Sequence, residues 1–101
     1  RLLTANTILK LVRKGNVVST AILKEGKAEV IEFEALPQSP IVNRRLQDVS
    51  FPRGTIVGAI VRGNQIIIPR GQDAILPGDR AIVFTLPDAV ANVERHFDAA
   101  R

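Results

Sequence analysis

Apolar and polar residues fall into short runs along most of the chain, a pattern typical of strands. Runs rich in β-branched residues at 17–23, 28–35, 55–61, 66–69 and 81–86 predict five strands, each bounded by Gly, Pro or charged residues. The polar segment 24–27 predicts a turn between the first two. Gly63 and Asn64 separate the next two, which is a strong hairpin signal because Gly readily adopts positive φ.

Helical spacing of apolar residues occurs at three places. Thr4 can cap a helix over residues 4–14, with Leu2, Ala5, Leu9 and Val12 on one stripe. A short helix is expected over 44–49, and a last helix follows Pro87 with Val90, Val93 and Phe97 on its apolar face. The sequence therefore predicts an α+β fold: a small mixed β-sheet with an N-terminal amphipathic helix, a short middle helix and a C-terminal helix.

The run from 56 to 61 is apolar at nearly every position, which indicates a central strand covered on both faces. Gly58 interrupts it. Because Gly weakens a strand interior, we expect a β-bulge or a close approach of another group at this position.

Composition narrows the classes of function. A chain of 101 residues with 46% apolar residues suits one folded domain, and four Phe are the only aromatic residues. The formal charge of +4 is spread without a basic block or a stacking platform, so no nucleic-acid binding is expected. No apolar run reaches the length of a membrane span, so no direct insertion is expected either.

The sequence offers few groups for catalysis or metal binding. It contains no Cys, and His96 is its only His, which we interpret as a surface residue. Glu32 and Glu34 fit a solvated strand face better than a cation site. No catalytic residue and no metal ligand are therefore predicted, and the domain is not expected to be an enzyme.

Polar residues at the 63–64 hairpin admit two interpretations. Arg62 and Asn64 are either ordinary turn residues or a pair of donors at the rim of an apolar groove, suited to a small anionic or nucleotide-like ligand. In the second case the chain would supply the groove walls and a stiff exit from neighbouring residues: Ile60, Ile66, Ile68 and Pro69.

An ordered set of short motifs extends through the whole chain. It runs from Thr4-Ala5-Asn6 through Ser39-Pro40-Ile41-Val42 and Phe51-Pro52-Arg53-Gly54 to Ile60-Val61-Arg62-Gly63-Asn64, Ile68-Pro69-Arg70-Gly71 and Leu76-Pro77-Gly78-Asp79. This order resembles the TrkA-C family, the C-terminal half of RCK (regulator of potassium conductance) units. Asn43 stands where the family often has Gly, and the turn should survive because Asn tolerates left-handed geometry.

The resemblance implies a division at residue 15. Residues 1–15 would be a linker or crossover helix from an N-terminal Rossmann half that this chain lacks, and 16–101 the TrkA-C (RCK_C) regulatory domain. No cofactor is expected in this fragment, since NAD(H) or an adenine nucleotide would bind the Rossmann half.

The same resemblance implies a function. The chain would be a ligand-sensing and dimerisation module of a cytoplasmic subunit, peripheral at the inner face of the membrane, that controls uptake through a Trk-type potassium transporter. Some family members bind cyclic di-AMP. A homodimer is expected, with its interface on the stripe of the first helix. The alternative is a purely structural dimerisation domain without a ligand.

Overall fold

The computed structural model describes residues 8–10 and 16–98, with side chains described for 16–98. These residues include six strands, and short 3-10 turns follow three of them. The strands are β1 (Ile8–Lys10), β2 (Val17–Leu23), β3 (Ala28–Glu34), β4 (Ile56–Arg62), β5 (Gln65–Ile67) and β6 (Arg80–Thr85). One α-helix, α1 (Val90–Phe97), follows β6. The α+β class and the five strands predicted from the sequence are confirmed.

The strands form one sheet in the order β1-β2-β3-β6-β4-β5, and every neighbouring pair is antiparallel. The expectation of a mixed sheet is wrong in this respect. The hairpins β2–β3 and β4–β5 are antiparallel because tight turns join them. Strand β6 enters between β3 and β4 and runs opposite to both, so no parallel pair arises among the described strands.

The helix predicted over 4–14 is wrong at Ile8–Lys10, which form β1 instead. Leu9 pairs with Ala21 at the edge of β2, where unpaired backbone groups accept another strand. Ile8 and Leu9 fit both the helical and the strand periodicity of apolar residues, so pairing with β2 determines their conformation. The rest of the predicted helix lies outside the described residues.

The other two predicted helices are present, and the middle one is shorter than predicted. The middle one is a single 3-10 turn, Leu46–Asp48, within the predicted 44–49. Another 3-10 turn, Pro87–Ala89, leads into α1, and Val93 and Phe97 of α1 are fully buried as expected from their spacing. His and Arg in its last turn suit the negative end of the helix dipole.

The core lies on one face of the sheet, beneath α1 and the long segment 36–54. Successive side chains of a strand point to opposite faces, so every second residue of each strand contributes to the core. The buried strand residues include Ile31, Phe33, Ile60, Ala81 and Val83. The rings of Phe33 and Phe97 stack in parallel with their centroids 4.2 Å apart. This stack joins α1 to the middle of the sheet.

Segment 36–54 carries little regular structure and is fixed by backbone hydrogen bonds. The amide of Asn43 donates to the Ile75 carbonyl at 2.8 Å, and the amide of Leu46 donates to the Asp73 carbonyl at 2.8 Å. Asn43 has φ +65°, which confirms the left-handed turn expected there. The segment thereby buries Ile41 against the core.

Strand β4 shows both features expected at Gly58. The register with β6 shifts between Val57 and Ala59, which makes Gly58 the extra residue of a bulge. The ring of Phe84 lies directly on its backbone, since a Cβ at Gly58 would meet Phe84 Cε1 at 2.6 Å. The expectation that this strand is covered on both faces is wrong: Ile56 is 66% exposed, because no element among the described residues covers the second face there.

Candidate functional site

The second face of the sheet, which we call the open face, is partly apolar. The pairing of β4 with β5 and β6 places the side chains of this face next to one another. On these three strands the residues of the open face are Ile56, Ala59, Val61, Ile66, Arg80, Ile82 and Phe84. Ile66 is 72% and Phe84 43% exposed. Exposed apolar groups clustered in this way mark interaction surfaces more often than isolated ones do.

Charged residues border the open face on its β3 side. Arg80 Nη1 lies 3.4 Å from Glu32 Oε2, and the Ser19 hydroxyl donates to Glu32 Oε1 at 3.0 Å. Glu34 is directly opposite Arg80 in the sheet. The face thus carries charges of both signs beside its apolar part, so it does not attract anions as a basic patch would.

A bidentate ion pair between Arg62 and Asp79 fixes the hairpin end of the sheet, with Arg62 on the side of β4 opposite the open face. Arg62 Nε donates to Asp79 Oδ1 at 3.0 Å and Nη2 donates to Oδ2 at 2.8 Å. Nη2 also donates to the Ala74 carbonyl at 3.1 Å, and the Leu76 amide donates to Asp79 Oδ2 at 2.8 Å. The side chains are 37% and 3% exposed respectively, so the pair connects a partly open cation to a buried carboxylate.

Two opposing effects act on this carboxyl group. Burial raises the pKa of Asp79, whereas the hydrogen bonds from Arg62 and from the Leu76 amide, with the positive charge of Arg62, lower it; together they place its pKa below the ordinary value of 3.8. The hydrogen bond to Asp79 correspondingly raises the pKa of Arg62. Both groups are therefore charged at neutral pH.

The lowered pKa of Asp79 predicts an acid-sensitive contribution to stability. Its ionised form is favoured in the folded state, so the contribution is present above the unfolded pKa and is lost as the pH falls through the folded one. We expect Asp79→Asn to cost more stability at about pH 7 than at about pH 2, because the stabilising ionised form of the wild-type carboxyl becomes less populated as the pH falls. Urea midpoints of both proteins at the two pH values measure this; an equal difference at both would contradict it.

The structure separates the residues proposed as ligand contacts. Ile60 is fully buried on the core face, so it cannot line a groove on the open face. Ile66 lies on the open face opposite Val61, and Ile68, just after β5, is 73% exposed. Asn64 is exposed in the turn and Pro69 is half-buried. Arg62 is already engaged by Asp79, and its role towards a ligand stays a prediction.

The residues proposed for the dimer interface receive no test. Leu2, Ala5 and Val12 lie outside the described residues. Leu9 is part of β1, but its side chain is outside them as well.

Sequence reasoning missed Asp79 and Phe84. Asp79 follows a Pro-Gly turn between the buried residues Ile75 and Ala81, and a carboxylate in such surroundings requires a cationic partner. Phe84 lies at an outward position of β6, opposite Ile56, and alternation along the strand would have placed it there.

His96 does more than a simple surface residue. Its Nδ1 lies 3.0 Å from the Asn92 carbonyl and its Nε2 3.1 Å from the Ser50 carbonyl, so the ring connects α1 to segment 36–54. Its ring also contacts that of Phe51 at 5.1 Å between centroids. Across residues 16–98, no cluster of three His, Cys, Asp or Glu could hold a metal ion. No described helix has the length and apolar character needed to cross a membrane.

The family model for the TrkA-C domain matches residues 30–98. These residues extend from within β3 to the end of α1, and they include the hairpin, the ion pair and most of the open face. The chain belongs to the TrkA-C family. The resemblance drawn from the motifs is thereby confirmed.

Relatives with curated names agree with this membership. The chain is 43% identical over 94 residues to the Trk system potassium uptake protein TrkA homolog 2 of Methanosarcina mazei. The aligned region covers 93% of this chain and 21% of that protein. The chain is 36% identical over 97 residues to TrkA of Azorhizobium caulinodans, with 96% and 21% covered. The chain thus spans about a fifth of the length of these relatives.

A solved structure shares the fold. It is described as an RCK domain with cda, and it superimposes with a TM-score of 0.57 over 68% of this chain and 97% of that one, at 24% sequence identity. At this level of identity the similarity concerns the fold alone. It shows that this chain has the fold of an RCK domain.

Proposed function

We propose that this TrkA-C domain is a regulatory, ligand-sensing and dimerisation module of a subunit that controls potassium uptake through a Trk-type transporter. The carrying observation is the family match over residues 30–98. That segment includes an exposed apolar sheet face and, at the hairpin, an arginine held by a buried carboxylate. The named relatives belong to Trk potassium uptake systems. The module acts without catalysis, as a cytoplasmic subunit at the inner face of the membrane. NAD(H) or an adenine nucleotide would act on a Rossmann half of a longer protein.

Self-association supports such a role and uses the open face. Ile56, Ile66 and Phe84 lie on neighbouring strands of this face and expose apolar area that a second copy would cover. Arg80 and Glu34 lie side by side at its border, so two copies related by a two-fold axis can place each of them against the other's opposite charge. A homodimer with this interface is the first part of the proposal.

A charge placed on the open face should dissociate this dimer. We expect wild-type protein at about 100 μM to sediment as a dimer and Ile66→Glu to sediment as a folded monomer, because a buried unpaired carboxylate opposes association. Gln65→Glu is the matched control, since it adds the same charge one residue away on the opposite side of β5. A monomeric wild type, or a dimer unaffected by Ile66→Glu, would refute this interface.

Ligand sensing is the second part of the proposal, and the hairpin supports it. Ile66, Ile68 and Pro69 offer apolar contacts, and Arg62 and Asn64 offer donors at the hairpin, with Arg62 on the side of β4 away from Ile66. A small phosphate-bearing ligand fits that combination, and in a dimer two hairpins would face one another. Calorimetric titration of wild type with cyclic di-AMP and with ATP tests it, with Arg53→Gln as a control that removes an exposed cation outside the hairpin and the open face. Absence of binding by either compound would favour the purely structural dimerisation domain.

A further inference from the structure

The ion pair between Arg62 and Asp79 determines the orientation of the Arg62 guanidinium. We propose that Asp79 is the positioning residue of the ligand site: it holds the guanidinium of Arg62 in one orientation, with the Nη1 edge presented to an anionic ligand. This inference rests on the proposed ligand-sensing function. Its basis is the number of fixed contacts on one side of the guanidinium, which leaves only the other side for a ligand.

The contacts of Arg62 fix both the position and the plane of its guanidinium. Nε and Nη2 form two roughly parallel hydrogen bonds to the two oxygens of one carboxylate, and Nη2 also reaches the Ala74 carbonyl. Asp79 is itself held by the Leu76 amide. Within residues 16–98 Nη1 makes no hydrogen bond, and the side chain remains 37% exposed. A flexible side chain has thus become a rigid donor.

A ligand would not draw Arg62 away from Asp79. Departure of the guanidinium would leave a carboxylate that is 3% exposed with a single backbone donor. An uncompensated buried charge costs more than one hydrogen bond to a phosphate returns, so the pair persists and the ligand receives only the outward edge. The pair is neutral as a unit. Its contribution is therefore a donor of fixed direction rather than a strong local positive charge.

A fixed donor improves affinity because its ordering cost is met before the ligand arrives. Immobilising one rotamer-rich side chain corresponds to about a threefold to tenfold change in affinity. Asp79→Asn removes the charge that holds Arg62, and Arg62→Lys retains the cation but cannot form the bidentate pair. Both should weaken binding of cyclic di-AMP by about that factor while the domain stays folded.

The side-chain Nε–Hε signal of Arg62 reports its orientation directly by NMR. In wild-type protein we expect slow exchange with water and restricted motion, in contrast to the exposed Arg53. In Asp79→Asn the Arg62 signal should exchange and move like that of Arg53. If Asp79→Asn leaves the signal protected, or if the wild-type signal is as mobile as that of Arg53, Asp79 does not position Arg62.

Titration with cyclic di-AMP completes the test. The matched control is Asp48→Asn, which disturbs an exposed Asp–Arg pair in which Arg45 Nε donates to Asp48 at 2.9 Å; it should alter affinity by less than about twofold. In the Asp79→Asn background, Arg62→Lys should have a smaller effect on binding than in the wild type, because the fixed orientation is already lost. A merely structural Asp79 would give the same Arg62→Lys effect in both backgrounds.

Failure of this inference is distinct from failure of the proposed function. A wild type that binds no cyclic di-AMP but shows a protected Arg62 signal overturns the ligand site, and leaves Asp79 as a structural residue only. Binding that persists in full in Asp79→Asn, with a mobile Arg62, overturns the positioning role and leaves ligand sensing in place. Loss of a fixed Arg62 together with weaker binding supports both.

Discussion

Replacing Phe97 by Ala should destabilise the domain more than any other single change considered. The ring is fully buried and stacks on Phe33 at 4.2 Å between centroids with an interplanar angle of 1°. Removing a buried Phe side chain costs about 3–5 kcal/mol, including the cavity that remains. The free energy of unfolding of a domain is only about 5–15 kcal/mol in total, so the variant should be close to unfolding at 37 °C.

The cavity would lie where α1 meets the sheet. The carbonyl of Phe97 accepts the Asn16 side-chain amide, and the His96 carbonyl accepts the Ile41 amide, so the end of α1 also holds the start of β2 and segment 36–54. Loss of the ring should therefore loosen these connections as well as the core.

Urea unfolding of Phe97→Ala measures the effect, and Phe84→Ala is the matched control. Phe84 is 43% exposed on the open face, so its removal should cost only about 1 kcal/mol. Phe97→Leu retains most of the apolar volume and should recover about half of the loss. Equal destabilisation by Phe84→Ala and Phe97→Ala would show that the core does not depend on the aromatic stack.

Part of this core could be predicted from the sequence and part could not. The spacing of Val93 and Phe97 predicts the buried face of α1, and alternation along β3 places Phe33 on one side of the strand. The contact between the two rings depends on how α1 crosses the sheet. That crossing follows from the connection after β6 and from segment 36–54, neither of which has a periodic pattern.

The first strand shows the limit of pattern reasoning more clearly. Ile8 and Leu9 fit a helical stripe, yet they pair with Ile22 and Ala21 in the sheet. Helix propensity and spacing are weak preferences, and an unpaired strand edge nearby outweighs them. The mixed sheet was a similar error, because strand direction depends on where β6 inserts, which its own sequence does not specify.

The local structure around the candidate site follows from the sequence only in part. The hairpin, its turn at Gly63 with φ +59°, and the exposure of Ile66 and Ile68 follow from local signals. Ile60 was misplaced because its strand was expected to be covered on both faces; its inward position follows from pairing with Ile67 and Ala81. The partner of Arg62 lies 17 residues away, beyond the range of any spacing rule.

That partner leads to the second large effect, on Arg62→Ala. Arg62 is near the end of a strand and partly exposed, a position at which substitutions are usually well tolerated. In the structure the substitution would leave Asp79 buried with the Leu76 amide as its remaining donor among the described residues. Breaking a fully buried pair costs about 3–5 kcal/mol. Since Arg62 is partly exposed and water can enter the vacated space, we expect a loss of about 2–3 kcal/mol.

The destabilisation by Arg62→Ala should be concentrated at the turn that contains Asp79. Asp79 closes the turn that follows Leu76, its carbonyl accepts the Ala35 amide at 2.8 Å, and the Gly78 amide donates to the Ala35 carbonyl at 2.8 Å. Arg62→Ala should therefore accelerate amide exchange at Leu76, Gly78 and Ala35 before it affects the middle of the sheet.

Two variants separate the lost partner from other causes. Arg62→Ala combined with Asp79→Ala removes both charges, and it should be more stable than Arg62→Ala alone, because no buried carboxylate is left uncompensated. Arg80→Ala removes a cation from an exposed pair and should cost less than about 1 kcal/mol. If Arg62→Ala is no more harmful than Arg80→Ala, the carboxylate of Asp79 is hydrated without its partner and the ion pair does not stabilise the hairpin.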